Sequence, residues 1–216
     1  MKTSVLSLCL LASAALFFSA CAKDESAPGE STGNYSPLTT GSTWTYKYTE
    51  GSETPENYTL TATNRDSVAN GRTYKVLTSS DGSANRYLAK IGSDYYRFAS
   101  FPDLGINSFE ELYLKDNKAV NETWTATAAI NYGGFNINAD LTYTIKGKAE
   151  TRTVNGKAFD NVTHVRLDIS VAGSPSGGGD FYYQEGVGLI ENNISVTSPL
   201  GQSFMSKEEL ISYEIK

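Results

Sequence analysis

His164 is the single histidine of this 216-residue chain. It stands in the run Val162-Thr163-His164-Val165-Arg166-Leu167-Asp168. If that run is a strand, Val165, Leu167 and Ile169 take one face and His164, Arg166 and Asp168 share the other. Such a row could serve as a small acid–base site. It serves equally as a solvated strand surface with cross-strand charge pairs, and that is the reading adopted here. A transition-metal site needs several nitrogen or sulfur ligands. The chain offers one histidine and two cysteines, Cys9 and Cys21, both close to its start. No G-x-S-x-G elbow marks a serine nucleophile, although a triad assembled in space remains open. The adjacent carboxylates Glu110-Glu111 and Glu208-Glu209 could in principle supply the two acids of a glycosidase. Neighbours on a strand point to opposite faces, so the pairs are expected to serve solubility and turns. Gly177–Gly179 follows Pro175 with no Lys-Ser/Thr after it and no helix to supply a dipole, which is not a phosphate loop. The sequence therefore predicts no catalytic residue, no metal and no cofactor.

Tyrosine is the remaining chemical resource, with 14 copies in the chain. Two doublets, Tyr95-Tyr96 and Tyr182-Tyr183, cannot both bury both rings if they lie on strands, because adjacent side chains alternate. These four are the candidate ligand platform, suited to a carbohydrate, an apolar molecule or a protein surface.

The elements that would position these residues read as strands. Period-two alternation recurs in Trp44/Tyr46/Tyr48, Tyr58/Leu60/Ala62, Trp124/Ala126/Ala128/Ile130, Leu141/Tyr143/Ile145, Val165/Leu167/Ile169/Val171 and Ile211/Tyr213/Ile215. Turn signals separate the runs: Asn70-Gly71, Asp81-Gly82, Gly133-Gly134, Asn155-Gly156 and Gly177–Gly179. Asn107–Leu112 is a short turn or the start of a strand, and Ser206–Glu209 is a possible capped turn. The fold class is all-β: about ten antiparallel strands in a curved sheet or barrel-like meander, with a β-sandwich as the alternative. The chain also echoes itself. Thr43-Trp44-Thr45 returns as Thr123-Trp124-Thr125, Asn70-Gly71 as Asn155-Gly156, and the tyrosine doublet returns after Asp180. Halves of about 37–118 and 119–216 are one account, and chance in a Thr-rich sequence is the other.

The N-terminus carries an address. Lys2 precedes an apolar run, Val5 to Phe18, too short for a permanent membrane span. It ends Phe18-Ser19-Ala20-Cys21, which resembles the lipobox of bacterial lipoproteins, with Phe18 where Leu is usual. That resemblance implies a signal peptide at 1–20 and acylation of Cys21. An ordinary signal peptidase cutting after Ala22 is the alternative, and would release the protein. Residues 21–36 read as a flexible tether, which as a random coil of about 15 residues reaches on the order of 20 Å. The β-rich domain then spans 37–216. Lys23-Asp24-Glu25 resembles the acidic surface-export signal of lipoproteins in the Bacteroidota. Tyr35-Ser36-Pro37-Leu38-x-x-Gly41-x-x-Trp44-x-Tyr46 resembles the PL-x-x-G-x-x-W-x-Y opening of many uncharacterised bacterial lipoproteins, and Tyr182–Ile190, with its Gly186-Val187-Gly188-Leu189 core, resembles a strand near their ends. The resemblance implies an outer-membrane, surface-facing lipoprotein and supplies no activity.

Charge narrows the partners. The net charge is −6, and the basic residues are scattered. An acidic surface repels the phosphate backbone, so no nucleic-acid partner is expected. The membrane is reached through the N-terminal lipid, where each buried methylene contributes about 0.8 kcal/mol. The first functional expectation is a non-enzymatic ligand-binding or structural domain. A lipid- or lipoprotein-handling carrier would need a continuous apolar cavity, and a hydrolase would need His164 or paired carboxylates to converge in a cleft.

Overall fold

The computed structural model describes residues 33–101, 106–132, 135–197, 201 and 203–216. The residues read as signal, lipobox and export signal, Phe18 to Glu25, lie outside them, as does the Gly133-Gly134 turn signal. Six strands form the first run: β1 (Thr43–Glu50), β2 (Glu56–Ala69), β3 (Arg72–Ser79), β4 (Arg86–Ile91), β5 (Asp94–Phe101) and β6 (Ile106–Lys115). Six more follow: β7 (Thr123–Tyr132), β8 (Phe135–Val154), β9 (Lys157–Val171), β10 (Ser174–Gln184), β11 (Gly188–Thr197) and β12 (Ser203–Glu214). The total is twelve, against about ten expected. Asn107–Leu112 lies in β6 and Ser206–Glu209 in β12, so neither is a turn.

All twelve strands belong to one sheet, ordered β6-β5-β4-β3-β2-β1-β12-β11-β10-β9-β8-β7. Each described pairing is antiparallel, as short hairpin connections require. A twisted sheet of this width must coil. Here it curls until its two ends, β6 and β7, lie side by side. The Trp124 indole closes that seam by donating to the Leu112 carbonyl at 2.8 Å. The barrel-like form of the expectation is the one adopted.

Contacts between strands that are not neighbours identify the inner face. Arg97 on β5 reaches Phe181 on β10, and Tyr58 on β2 reaches Glu208 on β12. The first crosses the lumen, and the second passes over β1 on the same inner face. Alternation then assigns the rest. The expected faces Trp44/Tyr46, Tyr58/Leu60/Ala62, Leu141/Tyr143/Ile145 and Val165/Leu167/Ile169/Val171 are all buried. The last run is different: Ile211 is exposed, and Leu210 is buried instead. A bulge explains it, because Tyr46 pairs with Leu210 and Thr45 with Ser212, leaving Ile211 as the extra residue.

Asn70-Gly71 and Asn155-Gly156 form the β2–β3 and β8–β9 turns, each with two successive positive φ angles. That is the backbone of a type I′ hairpin. Both hairpins are irregular, with register breaks between Ala62 and Asp66 and between Ile145 and Arg152. Both bear on the outside of the barrel. Arg152 on β8 bonds Glu191 at 2.6 Å and lies 3.4 Å over the Tyr182 ring. Arg72 on β3 bonds Glu110 at 2.8 Å and lies 4.1 Å over the Tyr96 ring. When β1–β6 is laid beside β7–β12, the Trp44/Trp124 and Asn-Gly echoes fall on equivalent strands. The tyrosine doublets do not, because they lie on β5 and β10.

Gly177–Gly179 is not a turn. It lies inside β10, between β9 and β11. A methyl group on Gly177 would lie 2.2 Å from the Ser195 carbonyl oxygen, and one on Gly178 would lie 2.1 Å from that of Leu167. Glycine is placed here by close approach of backbone, not by chain reversal.

Candidate functional site

The curled sheet does not fill its interior. A cavity of about 380 Å³ lies in the lumen, within the usual range for small-molecule sites. Its walls come from both runs of strands: Trp44, Tyr46 and Tyr48 from β1, Leu88 and Phe98 from β4 and β5, Tyr113 from β6, Phe181 and Tyr183 from β10. Asn85 and Arg86 line it beside the β3–β4 loop, where those strands pair over only three residues, Lys75 to Leu77.

Two ion pairs stand among these rings, each on an inner-facing carboxylate. Glu111 on β6 receives Arg97 through Nε at 2.6 Å and Nη2 at 3.2 Å, and the Tyr143 hydroxyl at 2.8 Å. Its side chain is 0% exposed. Glu208 on β12 accepts from Arg86 Nη2 at 2.7 Å, from Asn192 Nδ2 at 2.6 Å and from the Tyr58 hydroxyl. Burial pushes the Glu208 carboxyl up, but the Arg86 charge and these hydrogen bonds outweigh it and hold the group below the ordinary carboxylate range. The carboxylate doublets are thus split by alternation. Glu110 faces out to Arg72 and Tyr74, and Glu209 faces out to Lys47 and Lys207. Solubility and turns do not describe them. Each of the four carboxylates stitches together strands distant in sequence.

The lumen tyrosines are protonated and held so. Burial drives Tyr46, Tyr58, Tyr143 and Tyr183 far above their ordinary range, with Glu208 adding to it for Tyr46 and Tyr58 and Glu111 for Tyr143 and Tyr183. Tyr113 is pushed up to about 12, again by burial first. A group whose pKa is raised on folding supports the fold below its unfolded pKa and loses that support as pH rises through the folded one. For tyrosine the loss begins near pH ~10. We therefore expect a spectrophotometric titration to show these phenols ionising together with loss of near-ultraviolet ellipticity. Gradual ionisation completed before any change in ellipticity would contradict the buried geometry.

The four platform tyrosines are split in the same way. Tyr183 lines the cavity and packs on Tyr113, ring centroids 5.5 Å apart. Tyr95 is fully buried at the closed end of the barrel, where its hydroxyl donates to Asp116 at 2.8 Å. Tyr96 and Tyr182 face outward, beneath Arg72 and Arg152. Tyr95 and Tyr183 thus share the inner face, each packed against Tyr113, but of the four only Tyr183 lines the cavity. Tyr35 and Ser36, read from sequence as the end of the tether, are buried, and Tyr35 accepts from Thr163 at 3.2 Å.

The His164 row lies outside, as a strand surface. His164 Nε2 is 2.7 Å from Asp180, Arg166 bonds Asp180 and Asp168 at 2.9 Å each, and the imidazole stacks on Tyr182. Among the described residues, no carboxylate doublet or hydroxyl nucleophile joins it. Sequence reasoning missed Arg86, Arg97 and Asn192, read Tyr58 only as part of a strand face, and assigned Glu111 and Glu208 to solubility and turns. Their one signal was a charged or amide side chain in phase with a buried stripe, as Glu111 is with Tyr113.

The two motifs that carried the resemblance meet in space. The Trp44 indole donates to the Val187 carbonyl at 2.7 Å and the Tyr46 hydroxyl to that of Leu189 at 2.8 Å. The opening motif thereby caps the closing one across β12, near the same end as the buried Tyr35.

No family model matches the chain, and no curated protein matches it. Among solved structures, it is similar to a "putative lipoprotein" from Parabacteroides distasonis, with a TM-score of 0.52 and 14% identity over 84% of this chain and 99% of that one. A "putative exported protein with YmcC-like fold" from Bacteroides fragilis matches less well, with a TM-score of 0.45 and 10% identity over 84% and 99% of the two chains. At 14% identity the first likeness shows the fold alone: this chain shares its overall architecture with that Parabacteroides protein.

Proposed function

We propose that the chain is an exported, lipid-anchored, non-enzymatic binding protein whose barrel lumen takes a small, largely apolar molecule. The aromatic cavity of about 380 Å³ carries this reading. A concave, aromatic-lined recess of this size that opens to solvent is the usual form of a small-molecule site. The anchor rests on Cys21 and the polar stretch after it, with support from the likeness in fold to the Parabacteroides distasonis putative lipoprotein. Outer-membrane and surface placement rest on Lys23-Asp24-Glu25. The two ion pairs interrupt the apolar lining, which favours a compact ligand over a long acyl chain.

Two measurements test the parts separately. A neutral fluorophore, N-phenyl-1-naphthylamine, is expected to brighten in the wild-type domain and to lose that response in Leu88→Trp, which fills the lumen. No response, or one that survives Leu88→Trp in a folded protein, would overturn the cavity reading. Mass spectrometry of the mature N-terminus is expected to find an acylated Cys21. An unmodified chain starting at Lys23 would overturn the anchor.

A further inference from the structure

The two luminal arginines are not equivalent. Arg97 gives Nε and Nη2 to Glu111 and is sandwiched near the Tyr113 and Phe181 rings, its carbon 5.3 and 5.4 Å from their centroids. It is a structural group. Arg86 uses only Nη2, which donates to Tyr58 and Glu208 at 2.7 Å each. Its Nε and Nη1, with three of the five guanidinium N–H groups, bond no described residue. The side chain lines the cavity, and 37% of it is accessible.

Glu208 pairs with this cation at 2.7 Å and offsets its charge, so what Arg86 has left for a ligand is its unused donors; Glu208 also accepts from Tyr58 on β2 and Asn192 on β11. The pair fixes the guanidinium at the β3–β4 side of the cavity that Arg86 lines, with three N–H groups that bond no described residue. A fixed cation with spare donors, set in an aromatic wall, matches an anionic oxygen on an apolar body. Charge-assisted bonds of this kind are about twice as strong as neutral ones.

Resting on the lumen reading above, we propose that the ligand is a compact amphipathic carboxylic acid, its carboxylate bound by Arg86 and its body held by the surrounding rings. Tyr58, Asn192 and Glu208 are positioning residues for that contact. One carboxylate fits this arrangement better than a phosphate dianion, because Glu208, paired with Arg86, repels a doubly charged ligand about twice as strongly as a singly charged one.

The test compares 2-naphthoate with 2-naphthalenemethanol, which share a body and differ in the headgroup, by isothermal titration of the folded domain. Wild type is expected to favour the acid. Arg86→Gln should weaken the acid about 10- to 100-fold and leave the alcohol nearly unchanged. Arg86→Lys, which keeps the charge, should fall between and guards against a folding defect in Arg86→Gln. Equal affinity for acid and alcohol in wild type, or an acid affinity indifferent to both variants, would overturn the anchor while leaving the lumen reading intact. That pattern would point instead to a neutral or carbohydrate ligand. Binding of neither compound, or binding of both that survives Leu88→Trp, would fail the lumen reading itself.

Discussion

Replacing Glu111 by alanine is expected to destabilise the domain by about 3–5 kcal/mol, the cost of leaving a buried cation without its partner. The Glu111 side chain is wholly buried, and Arg97 is 20% exposed, so water cannot rescue the guanidinium cheaply. The Tyr143 hydroxyl loses its acceptor as well. For a domain of this size that corresponds to a fall in Tm of roughly 6–20 °C. The double variant Glu111→Leu/Arg97→Met separates the explanations. If the loss comes from an orphaned charge, the double variant should recover most of it, because a buried pair replaced by apolar residues is near neutral. Single- and double-variant Tm values that fall equally would show that shape, not charge, is what Glu111 contributes. A single variant within about 1 kcal/mol of wild type would show that the pair is solvated in solution.

Gly177→Ala is expected to be comparably severe. Gly177 has φ +132°, a region essentially reserved for glycine, and its new methyl would lie 2.2 Å from the Ser195 oxygen and 2.7 Å from the Val196 Cα. Both obstacles are backbone of β11 and cannot rotate away. Strain of about 1–3 kcal/mol and overpacking of a similar size give roughly 2–6 kcal/mol together. Gly71→Asn is the contrast. Gly71 has φ +73° and open space around it, and asparagine tolerates that conformation, so about 0.5 kcal/mol or less is expected. Urea unfolding of both variants checks the pair. A mild Gly177→Ala would mean that β10 and β11 can separate without loss, and that the bulge between Pro175 and Gly177 is not a fixed part of the barrel.

Much of the fold was legible because its physics is local. Alternation of apolar and polar residues assigned strand faces for most of the core, and Asn-Gly marked two hairpins with paired positive φ angles, while the same backbone at Ala172-Gly173 carried no such signal. The failures were not local. Ile211 looked like a core residue until a bulge opposite Thr45/Tyr46 shifted the phase of β12. Gly177–Gly179 looked like a turn, because sequence cannot distinguish a glycine needed for chain reversal from one needed for close approach of neighbouring strands. Ser206–Glu209 looked like a capped turn, because Ser-x-x-Glu reads the same in a strand whose acid, Glu209, pairs across strands with Lys47.

The site was scarcely legible. Glu208 meets Arg86 across 122 residues, and Glu111 meets Tyr143 across 32. No spacing rule reports such partners, and a charged residue in a strand reads as solvated unless its partner is known. The tyrosine doublets were rightly read as split between faces, yet which ring of each doublet reached the lumen depended on the curl of the whole sheet.

The sequence by itself determined the fold class, the hairpin turns and the alternation that separates Glu110 from Glu111 and Tyr182 from Tyr183, because a period of two is a property of one strand. The export address proposed around Cys21 likewise rests on sequence alone, because such an address would be read from an unfolded chain. Only the tertiary structure decided that twelve strands curl until β6 meets β7, that the curl leaves a cavity, and that Arg86 stands in its wall with donors to spare, because closure, void volume and ion pairing belong to surfaces that strands far apart in sequence make together.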